Sequence, residues 1–532
     1  MRPIFFSLLT IFLLQSCARK GNPTGGPKDE NAPIIIQTFP KFNTTEFKNK
    51  EIKIYFDEFV KLKDLRKQLV VSPPLKYPIE VLPQGMATKK IAIKIKDTLK
   101  DNTTYVLNFG NSIEDNNEGN VLSDFKYVFS TGKQIDTLQL KGKIKDAFQS
   151  KTDDYMSVLL YKANRFNDSI VFKEKPDYVA NSLDSTVFNF TNLKGGKYRI
   201  IALKENNTDY IYQPKDEKIA FIDSVIQIPT NKNIVLNLFK KEPDFKLKKI
   251  TELAKGHLLF GYQGNADKVV IQPIKIDSTP FDKIKDFKSY QYKEKNADSI
   301  HYFYVYKKMD SIKFRISKDT IQQDMLARIK NKKLDSLILS SSVKGVLHPF
   351  DTLTITSTVP LDSIHENKFQ LMESDSIPIK VSLRKKRFNQ LQVLFDRKPK
   401  TRYNLLVLPR AVHSVFNQTN DTIKYGIQTK KDAYYGSIIL KINTKKLPLI
   451  VTLLDAKNKE IRSKYLEDNT EVVFEKLVPG EYHIRVIYDR NKNHKWDTGD
   501  FMKHLQPEPV FYMDKTINLK ENWFLNETIN IN

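Results

Sequence analysis

The sequence contains almost no cysteine: Cys17 is the only one in 532 residues. A single thiol excludes intramolecular disulfides, so each domain must be stable on buried apolar surface alone. The chain is too long for one hydrophobic core, which predicts several domains of ordinary size. The apolar content of 40% and the aromatic content of 11% are ample for such cores.

Long hydrophobic runs and enzyme signatures are also missing. After residue 14, no apolar stretch approaches the roughly 20 residues that a membrane-spanning helix needs. The sequence has no metalloprotease HExxH, no GxSxG and no phosphate-binding loop, and its eight histidines are scattered. A non-enzymatic protein is therefore predicted. A cryptic glycan hydrolase is the minor alternative, because acid pairs such as Asp57 and Glu58 could serve one if a cleft brought two carboxylates together.

Arginine is scarce although the net charge is +25, since it supplies only 15 of the 87 basic residues. Arginine is the side chain that reads phosphates and bases in two-pronged contacts, whereas lysine mainly solvates surfaces and strand edges. The lysines are spread along the chain, and no nucleic-acid-binding motif accompanies them. We therefore predict no nucleic-acid partner and a solvated basic surface, with a general attraction to anionic envelope polymers as the alternative.

The N-terminus carries the pattern of a secretory signal peptide. Arg2 precedes an apolar run at 4–14, which is too short to span a bilayer but suits a signal-peptide core. The next residues, LQSC at 14–17, resemble the lipobox of bacterial lipoproteins, with Gln15 as a mild departure from the usual small or β-branched residue. The resemblance implies cleavage before Cys17 and a lipid on its thiol, which would also remove it from any nucleophilic chemistry.

Alternating apolar residues mark short strands along the chain. Isoleucine occupies alternate positions in IKIYF (52–56) and IAIKI (91–95), and Tyr105, Leu107 and Phe109 repeat the same period. Turn-forming clusters such as DNNEG (115–119) separate these segments. Short strands at this spacing predict antiparallel sandwiches, so the predicted fold class is all-β with tandem β-sandwich domains.

Four segments resemble the bacterial Ig-like domain of S-layer type: FDEFV (56–60), SPP (72–74), TTYVL (103–107) and YVFSTG (127–132). The preceding GNPTGGPKD (21–29) is similar to the stalk of outer-membrane lipoproteins that carry this domain. A second copy follows at a constant spacing of 298 residues, at which Tyr403, Tyr425 and Thr429 correspond to three residues of the first copy. The resemblance implies an immunoglobulin-like sandwich, a fold used for spacing and binding.

A second repeated pattern, Leu-x-x-Gly-x-Tyr, resembles the prealbumin-like module of carboxypeptidase-regulatory type. It occurs at 193–198 and again at 477–482, a spacing of 284 residues. The resemblance carries over no catalytic residue, because such modules are accessory in enzymes. Between the two pairs of modules, 241–345 is predicted to be a β linking domain, with a short helix at 320–330 as an alternative.

The predicted organisation therefore has seven parts. They are a signal peptide (1–16), a lipidated Cys17 with a flexible stalk (17–31), a bacterial Ig-like domain (32–132), a prealbumin-like sandwich (133–240), a β linking domain (241–345), a second Ig-like domain (346–430) and a second prealbumin-like sandwich with an ion loop (431–532).

The candidate ion loop is DRNKNHKWDTGD at 489–500. Calcium takes six to eight oxygen ligands from a flexible loop, and side chains at alternate positions can supply them. The predicted ligands are Asp489, Asn491, Asn493, the Lys495 carbonyl, Asp497 and Asp500. His494 stands where such turns prefer glycine and Asp500 is shorter than glutamate, so weak, structural calcium binding is expected. The alternative is that Asn and Asp simply build a turn.

The first prealbumin-like module has only Glu205, Asn207 and Asp209 at the equivalent places, and no ion is expected there.

The predicted function is that of a lipid-anchored cell-envelope protein, a binding or structural arm of tandem sandwiches. Its partners would be the membrane and either an envelope protein or an extracellular glycan. The alternative is an accessory subunit of an envelope or secretion assembly. Ala18 is not the aspartate that retains enterobacterial lipoproteins in the inner membrane, which favours the outer membrane, on either face.

Overall fold

The computed structural model describes residues 29–295, 297–330, 332–374 and 377–531. The predicted signal peptide, Cys17 and most of the stalk lie outside these ranges. The all-β prediction is confirmed, because strands dominate the described residues and form tandem β-sandwiches. The chain divides into two compact units, one ending at Leu238 and the other beginning at Phe239.

The first sandwich contains eight strands and one short helix. They are β1 (Ile35–Phe39), β2 (Glu51–Leu62), α1 (Leu65–Gln68), β3 (Val70–Ser72), β4 (Glu80–Leu82), β5 (Thr88–Lys94), β6 (Thr104–Gly110), β7 (Ile113–Asp115) and β8 (Phe125–Ser130). One sheet runs β1-β2-β5-β4, with β7 beside β2, and the other runs β3-β6-β8. The alternating isoleucines of β2 and β5 meet Tyr105 and Phe129 of the second sheet in a common core.

The second sandwich follows in the same unit. Its elements are β9 (Leu138–Asp146), β10 (Ser157–Lys162), a 3-10 turn (Ile170–Phe172), β11 (Tyr178–Asn181), β12 (Val187–Leu193), β13 (Gly196–Lys204), β14 (Lys218–Phe221), β15 (Ile226–Ile228) and β16 (Ile234–Leu238). The sheets run β11-β10-β13-β14, with β15 beside β13, and β12-β9-β16. Gly142 of β9 allows close packing, because a Cβ there would lie 2.4 Å from the Phe188 ring.

The third sandwich opens the second unit. Its elements are β17 (Lys246–Ala254), β18 (His257–Gln263), β19 (Val270–Ile276), β20 (Thr279–Pro280), a 3-10 turn (Phe281–Lys283), β21 (Lys288–Lys293), β22 (Ser299–Val305), β23 (Ser311–Lys318) and β24 (Ile321–Arg328). Two four-stranded sheets, β17-β18-β22-β21 and β20-β19-β23-β24, enclose its core. Because β24 pairs along its length with β23, the alternative of a helix at 320–330 is wrong.

The fourth sandwich contains eleven strands and a 3-10 turn. They are β25 (Leu339–Ser341), β26 (Gly345–Val346), β27 (Thr354–Ser357), β28 (Leu361–Ile364), the turn (Glu366–Lys368), β29 (Phe369–Glu373), β30 (Ile377–Ile379), β31 (Ser382–Arg387), β32 (Gln390–Leu394), β33 (Arg402–Val407), β34 (Val412–Ser414) and β35 (Ile423–Gln428). Its sheets run β25-β27-β32-β31 and β26-β35-β33-β29-β30, with β28 and β34 as a separate pair.

The fifth sandwich ends the chain. Its elements are a 3-10 turn (Asp432–Tyr434), β36 (Gly436–Asn443), β37 (Leu449–Asp455), β38 (Glu460–Leu466), β39 (Glu471–Leu477), β40 (Gly480–Tyr488), a second 3-10 turn (Phe501–Lys503), β41 (Val510–Tyr512), β42 (Ile517–Leu519) and β43 (Phe524–Asn530). The sheets run β38-β37-β40-β41, with β42 beside β40, and β39-β36-β43, matching the order in the second sandwich.

The first and fourth sandwiches share a set of side-chain contacts at the spacing read from the sequence. The Lys100 backbone N–H donates to the Tyr105 hydroxyl at 2.8 Å, and the Lys398 N–H donates to the Tyr403 hydroxyl at the same distance. Both tyrosines are buried. The Thr131 hydroxyl donates to the Lys100 carbonyl at 2.7 Å, and the Thr429 hydroxyl donates to the Lys398 carbonyl at 2.6 Å. The two sandwiches therefore close their cores in the same way.

The second and fifth sandwiches share another contact. The Tyr198 hydroxyl donates to the Lys194 carbonyl at 2.9 Å, and the Tyr482 hydroxyl donates to the Val478 carbonyl at 2.6 Å. Each tyrosine thereby fixes the turn that leads into its own strand, β13 or β40.

Candidate functional site: the loop after β40

The loop at 489–500 leaves the end of β40 and is anchored by Asp489, the first predicted ligand. The Asp489 side chain is fully buried, and its carboxylate accepts the backbone N–H groups of Asn493 (3.2 Å) and His494 (2.9 Å). Its own N–H donates to the Pro448 carbonyl. Because β40 pairs with β37 up to Tyr488, the sheet fixes where the loop starts.

Asn491, Asn493 and Asp497 converge above Asp489. The side-chain amides of both asparagines donate to Asp497 Oδ2, at 2.6 Å for Asn491 and 2.7 Å for Asn493. The Asn491 side-chain oxygen accepts the Asn493 N–H, and the Asn493 side-chain oxygen accepts the Lys495 N–H. Four of the six predicted ligands therefore share one small volume, held together by amide-to-carboxylate hydrogen bonds.

His494 takes the conformation that the predicted turn requires. Its φ is +63°, in the left-handed region where glycine is favoured, and its ring lies against Tyr465 with centroids 3.9 Å apart. A non-glycine residue with positive φ is strained, and the contact with Tyr465 offsets part of that cost. The unfavourable residue noted in the sequence is therefore accommodated by packing.

Glu508, which the sequence did not single out, completes the acidic cluster. Its carboxylate accepts the N–H groups of Arg490 (2.7 Å) and Asp497 (3.2 Å), so it joins both ends of the loop. Burial raises the pKa of Glu508, and the nearby carboxylates of Asp497 and Asp489 raise it further, against the lowering effect of those hydrogen bonds. Glu508 lies beyond the loop in sequence, so no local spacing could have identified it.

Asp500 lies outside this cluster, contrary to the predicted ligand set. Its Oδ1 accepts the Met502 N–H at the start of the 3-10 turn, and its Oδ2 pairs with Lys241 at 3.1 Å. Thr498 also donates to the Lys240 carbonyl at 2.7 Å. Asp500 is therefore held by the 3-10 turn and by Lys241. The end of the loop thus binds the segment that enters the third sandwich.

Lys495 contributes its side chain to a second contact with the third sandwich. Its ammonium lies 2.5 Å from Asp267 Oδ2, and Lys293 pairs with the other oxygen of Asp267. Hydrogen bonds from Lys495 and Lys293 lower the pKa of Asp267 to about 2. The loop is thus part of the joint between the fifth and third sandwiches as well as a candidate ion site.

The oxygen atoms of this loop are of the type that a hard cation binds, but only some of them are already placed to coordinate one. Within the described ranges, no three side chains drawn from histidine, cysteine, aspartate and glutamate are grouped so that they could hold a metal ion. A calcium ion would therefore depend on the amide oxygens of Asn491 and Asn493 together with Asp489 and Asp497. Both amides would have to turn their oxygens toward the ion, which is consistent with weak binding.

The equivalent place in the second sandwich holds two buried carboxylates. Glu205 Oε2 accepts the Tyr210 N–H at 2.8 Å, while Glu217 accepts the N–H groups of Asn206 (3.1 Å) and Gln213 (2.8 Å). Glu217 thus corresponds to Glu508, since each binds the residue after the start of its loop. Burial raises the pKa of both Glu205 and Glu217. The expectation that this place holds no ion stays a prediction.

We expect Glu205→Gln to flatten the pH dependence of the unfolding free energy from about pH 4.3, the ordinary pKa of glutamate, upward to the raised folded pKa of Glu205. Because the folded pKa of Glu205 is raised, the native state binds more protons than the unfolded chain in that window. The stability from this group is full below the unfolded pKa and is lost as pH rises through the folded pKa. Calorimetric melts across the window test this. Exposed Glu118→Gln is the control, and equal flattening by both variants would contradict the prediction.

Comparison with known proteins identifies the first sandwich. Residues 29–131 match a family model described as a bacterial Ig-like domain, in agreement with the resemblance read from the sequence. The match covers well under half of the chain. No curated protein sequence matches the chain significantly.

Several solved structures align with the chain at low sequence identity. The major pilin subunit of Bacillus cereus is 9% identical and covers 74% of this chain and 99% of its own, with a TM-score of 0.14. The S-layer protein SbsC is 11% identical and covers 90% and 67%, with the same TM-score. The Bacillus anthracis TIE protein is 10% identical and covers 99% and 78%, again at 0.14. TM-scores this low carry no argument about fold or function.

Proposed function

We propose that this chain is a lipid-anchored cell-envelope protein, in which tandem β-sandwiches form a non-enzymatic structural or binding arm. The observation that carries the proposal is the combination of a lipobox-like LQSC at 14–17 with a chain that is otherwise a series of sandwiches, the first of which matches the bacterial Ig-like family. An arm built from repeated small cores suits spacing and presentation, since each core is stable without disulfides.

The anchor is proposed to be the lipid on Cys17. In the part of the chain that the structure describes, no helix combines the length and apolar content needed to cross a bilayer. Each buried lipid methylene stabilises attachment by about 0.8 kcal/mol, so two or more acyl chains make it durable. Ala18 at the next position supports the outer membrane as the location.

Calcium is proposed to stabilise the loop at 489–500, with Asp489, Asn491, Asn493, Asp497 and the Lys495 carbonyl as ligands. The convergence of the four side chains supports this, and Asp500 is left out because it binds Lys241. An affinity of roughly 10⁻⁴–10⁻³ M is expected, as in extracellular modules. The ion would stiffen the contact between the fifth and third sandwiches.

Removing the thiol tests the anchor. We expect the wild-type chain to stay in the membrane pellet after high-salt and alkaline carbonate washes, and Cys17→Ser to move to the soluble fraction. Ala18→Ser, which keeps the cysteine, is the matched control and should stay in the pellet. Retention of Cys17→Ser in the washed membrane would show that something other than a lipid on this residue holds the protein.

A further inference from the structure

One sheet face differs between the two Ig-like sandwiches. In the first sandwich, β6 pairs with β8 so that Thr104 faces Ser130 and Val106 faces Val128. In the fourth sandwich, β33 pairs with β35 in the same register, so that Arg402 faces Gln428 and Asn404 faces Gly426. The outward valines of the first copy are therefore replaced by asparagine and glycine, and a threonine is replaced by arginine.

The face of the first sandwich is covered within its own unit. Strands β11 and β12 of the second sandwich contact β3 and β6, and the Val179 N–H donates to the Ser72 hydroxyl at 3.0 Å. Val70 and Val106 are only 5% and 6% exposed as a result. In this copy, the outward face of the sheet is an intramolecular interface.

The equivalent face of the fourth sandwich is open. Arg402, Asn404, Lys424 and Gly426 are exposed. Arg402, Asn404 and Gly426 line a surface trough of about 480 Å³. The residues of the fifth sandwich that correspond to Val179 and Ala180 are Ser463 and Lys464, both exposed. The fourth and fifth sandwiches therefore both lack the apolar residues that form the interface between the first and second sandwiches.

The trough has a polar lining and a floor without side chains. Ser374, Arg402, Asn404 and Gln428 supply the polar groups, and Gly345 and Gly426 lie along it. A Cβ at Gly345 would meet no atom within 4 Å, and one at Gly426 would meet only the Asn404 side-chain oxygen at 3.7 Å. Glycine on the face of a strand leaves room for another chain to approach the backbone closely.

The charge of the trough is positive. Arg402 lines the trough, and Lys424 lies on the same face of the sheet. Both side chains are exposed, and among the described residues neither forms an ion pair. A free guanidinium presents two parallel N–H donors that match a carboxylate or a phosphate. The ligand that fits is therefore anionic.

We infer that this trough binds an acidic polysaccharide, an inference that rests on the proposed envelope function. Protein interfaces usually have an apolar centre with aromatic anchors, and the side chains that line this trough are polar. Tyr403 and Ile427 line it only through their backbones, since their side chains are buried on the other face of the sheet. Amide, hydroxyl and guanidinium groups over a glycine floor suit a hydroxyl-rich chain that carries carboxylates.

Titration of the detergent-solubilised full-length chain with alginate, a polyuronate, tests the inference. Charge-assisted hydrogen bonds from Arg402 should make Arg402→Glu weaken binding by at least about tenfold at low salt. Gly426→Val restores the valine of the first copy and fills the floor, and should weaken binding by a similar factor. Exposed Arg328→Glu, on the third sandwich, makes the same charge change and should alter binding less than about twofold. Melting curves confirm that each variant is folded.

Three results would overturn the inference. These are no alginate binding by the wild type, an equal loss in Arg402→Glu and Arg328→Glu, which would indicate diffuse charge, or tighter Arg402-dependent binding of poly-glutamate, which would indicate an acidic protein partner. Neutral dextran is the negative probe. Because the titration needs no membrane attachment, its failure leaves the Cys17 proposal intact, and failure of the Cys17 test leaves the titration interpretable.

Discussion

Asp489→Ala is expected to lower the unfolding free energy of the fifth sandwich by roughly 3 kcal/mol and to abolish its response to calcium. The buried carboxylate binds two loop N–H groups, and alanine removes the acceptor of the His494 N–H and one of the two acceptors of the Asn493 N–H. In the wild type, calcium at ten times its dissociation constant should add about 1.4 kcal/mol. Differential scanning calorimetry of the full-length chain with millimolar calcium and with chelator measures both effects.

Asp500→Asn is the matched control for the ion. It removes the same charge from the same loop, but the Asp500 carboxylate binds Lys241 and the Met502 N–H outside the cluster. We expect this variant to keep the calcium response. Equal loss of the response in both variants would restore Asp500 to the ligand set, and no calcium effect on the wild type would leave the loop as a turn without an ion.

Tyr403→Ala is expected to cost the fourth sandwich about 3–5 kcal/mol, and Tyr105→Ala should cost the first sandwich a similar amount. Both rings are 1% exposed and pack in their cores. The phenylalanine variants keep the ring and lose only the acceptor for the lysine N–H, so each should cost about 1 kcal/mol. Calorimetric or urea unfolding of the four variants tests this, and alanine variants no worse than the phenylalanine ones would refute the core role.

The tandem β-sandwiches could be predicted because the alternation of apolar residues is a local signal and because the same local patterns occur twice in the chain. The period of two in β2, β5 and β6 indicated strands, and the tyrosines spaced by 298 residues proved to make the same hydrogen bonds in both sandwiches. The Ig-like resemblance of the first copy is confirmed by the family match. The strand Ile321–Arg328 could not be told from a helix in the sequence, because its mostly polar, exposed residues show little of the alternation that marks a half-buried strand.

The site was harder to predict because it depends on contacts between distant segments. Asp489, Asn491, Asn493 and Asp497 follow one another closely, so their grouping could be predicted from their spacing, and ion binding by them stays a prediction. Glu508 approaches from beyond the loop, and Asp500 is drawn away by Lys241, some 259 residues earlier in the chain. The open trough on the fourth sandwich emerges only when the paired strands of the first and fourth sandwiches are compared in register.

The mature N-terminus gives the most direct test of the central claim. Mass spectrometry of the protein extracted from bacterial membranes should find a terminal peptide that begins at Cys17 and carries the mass of a diacylglycerol on the cysteine. A mature chain that begins elsewhere, or a Cys17 recovered with a free thiol, would contradict the assignment of this protein as a lipid-anchored arm.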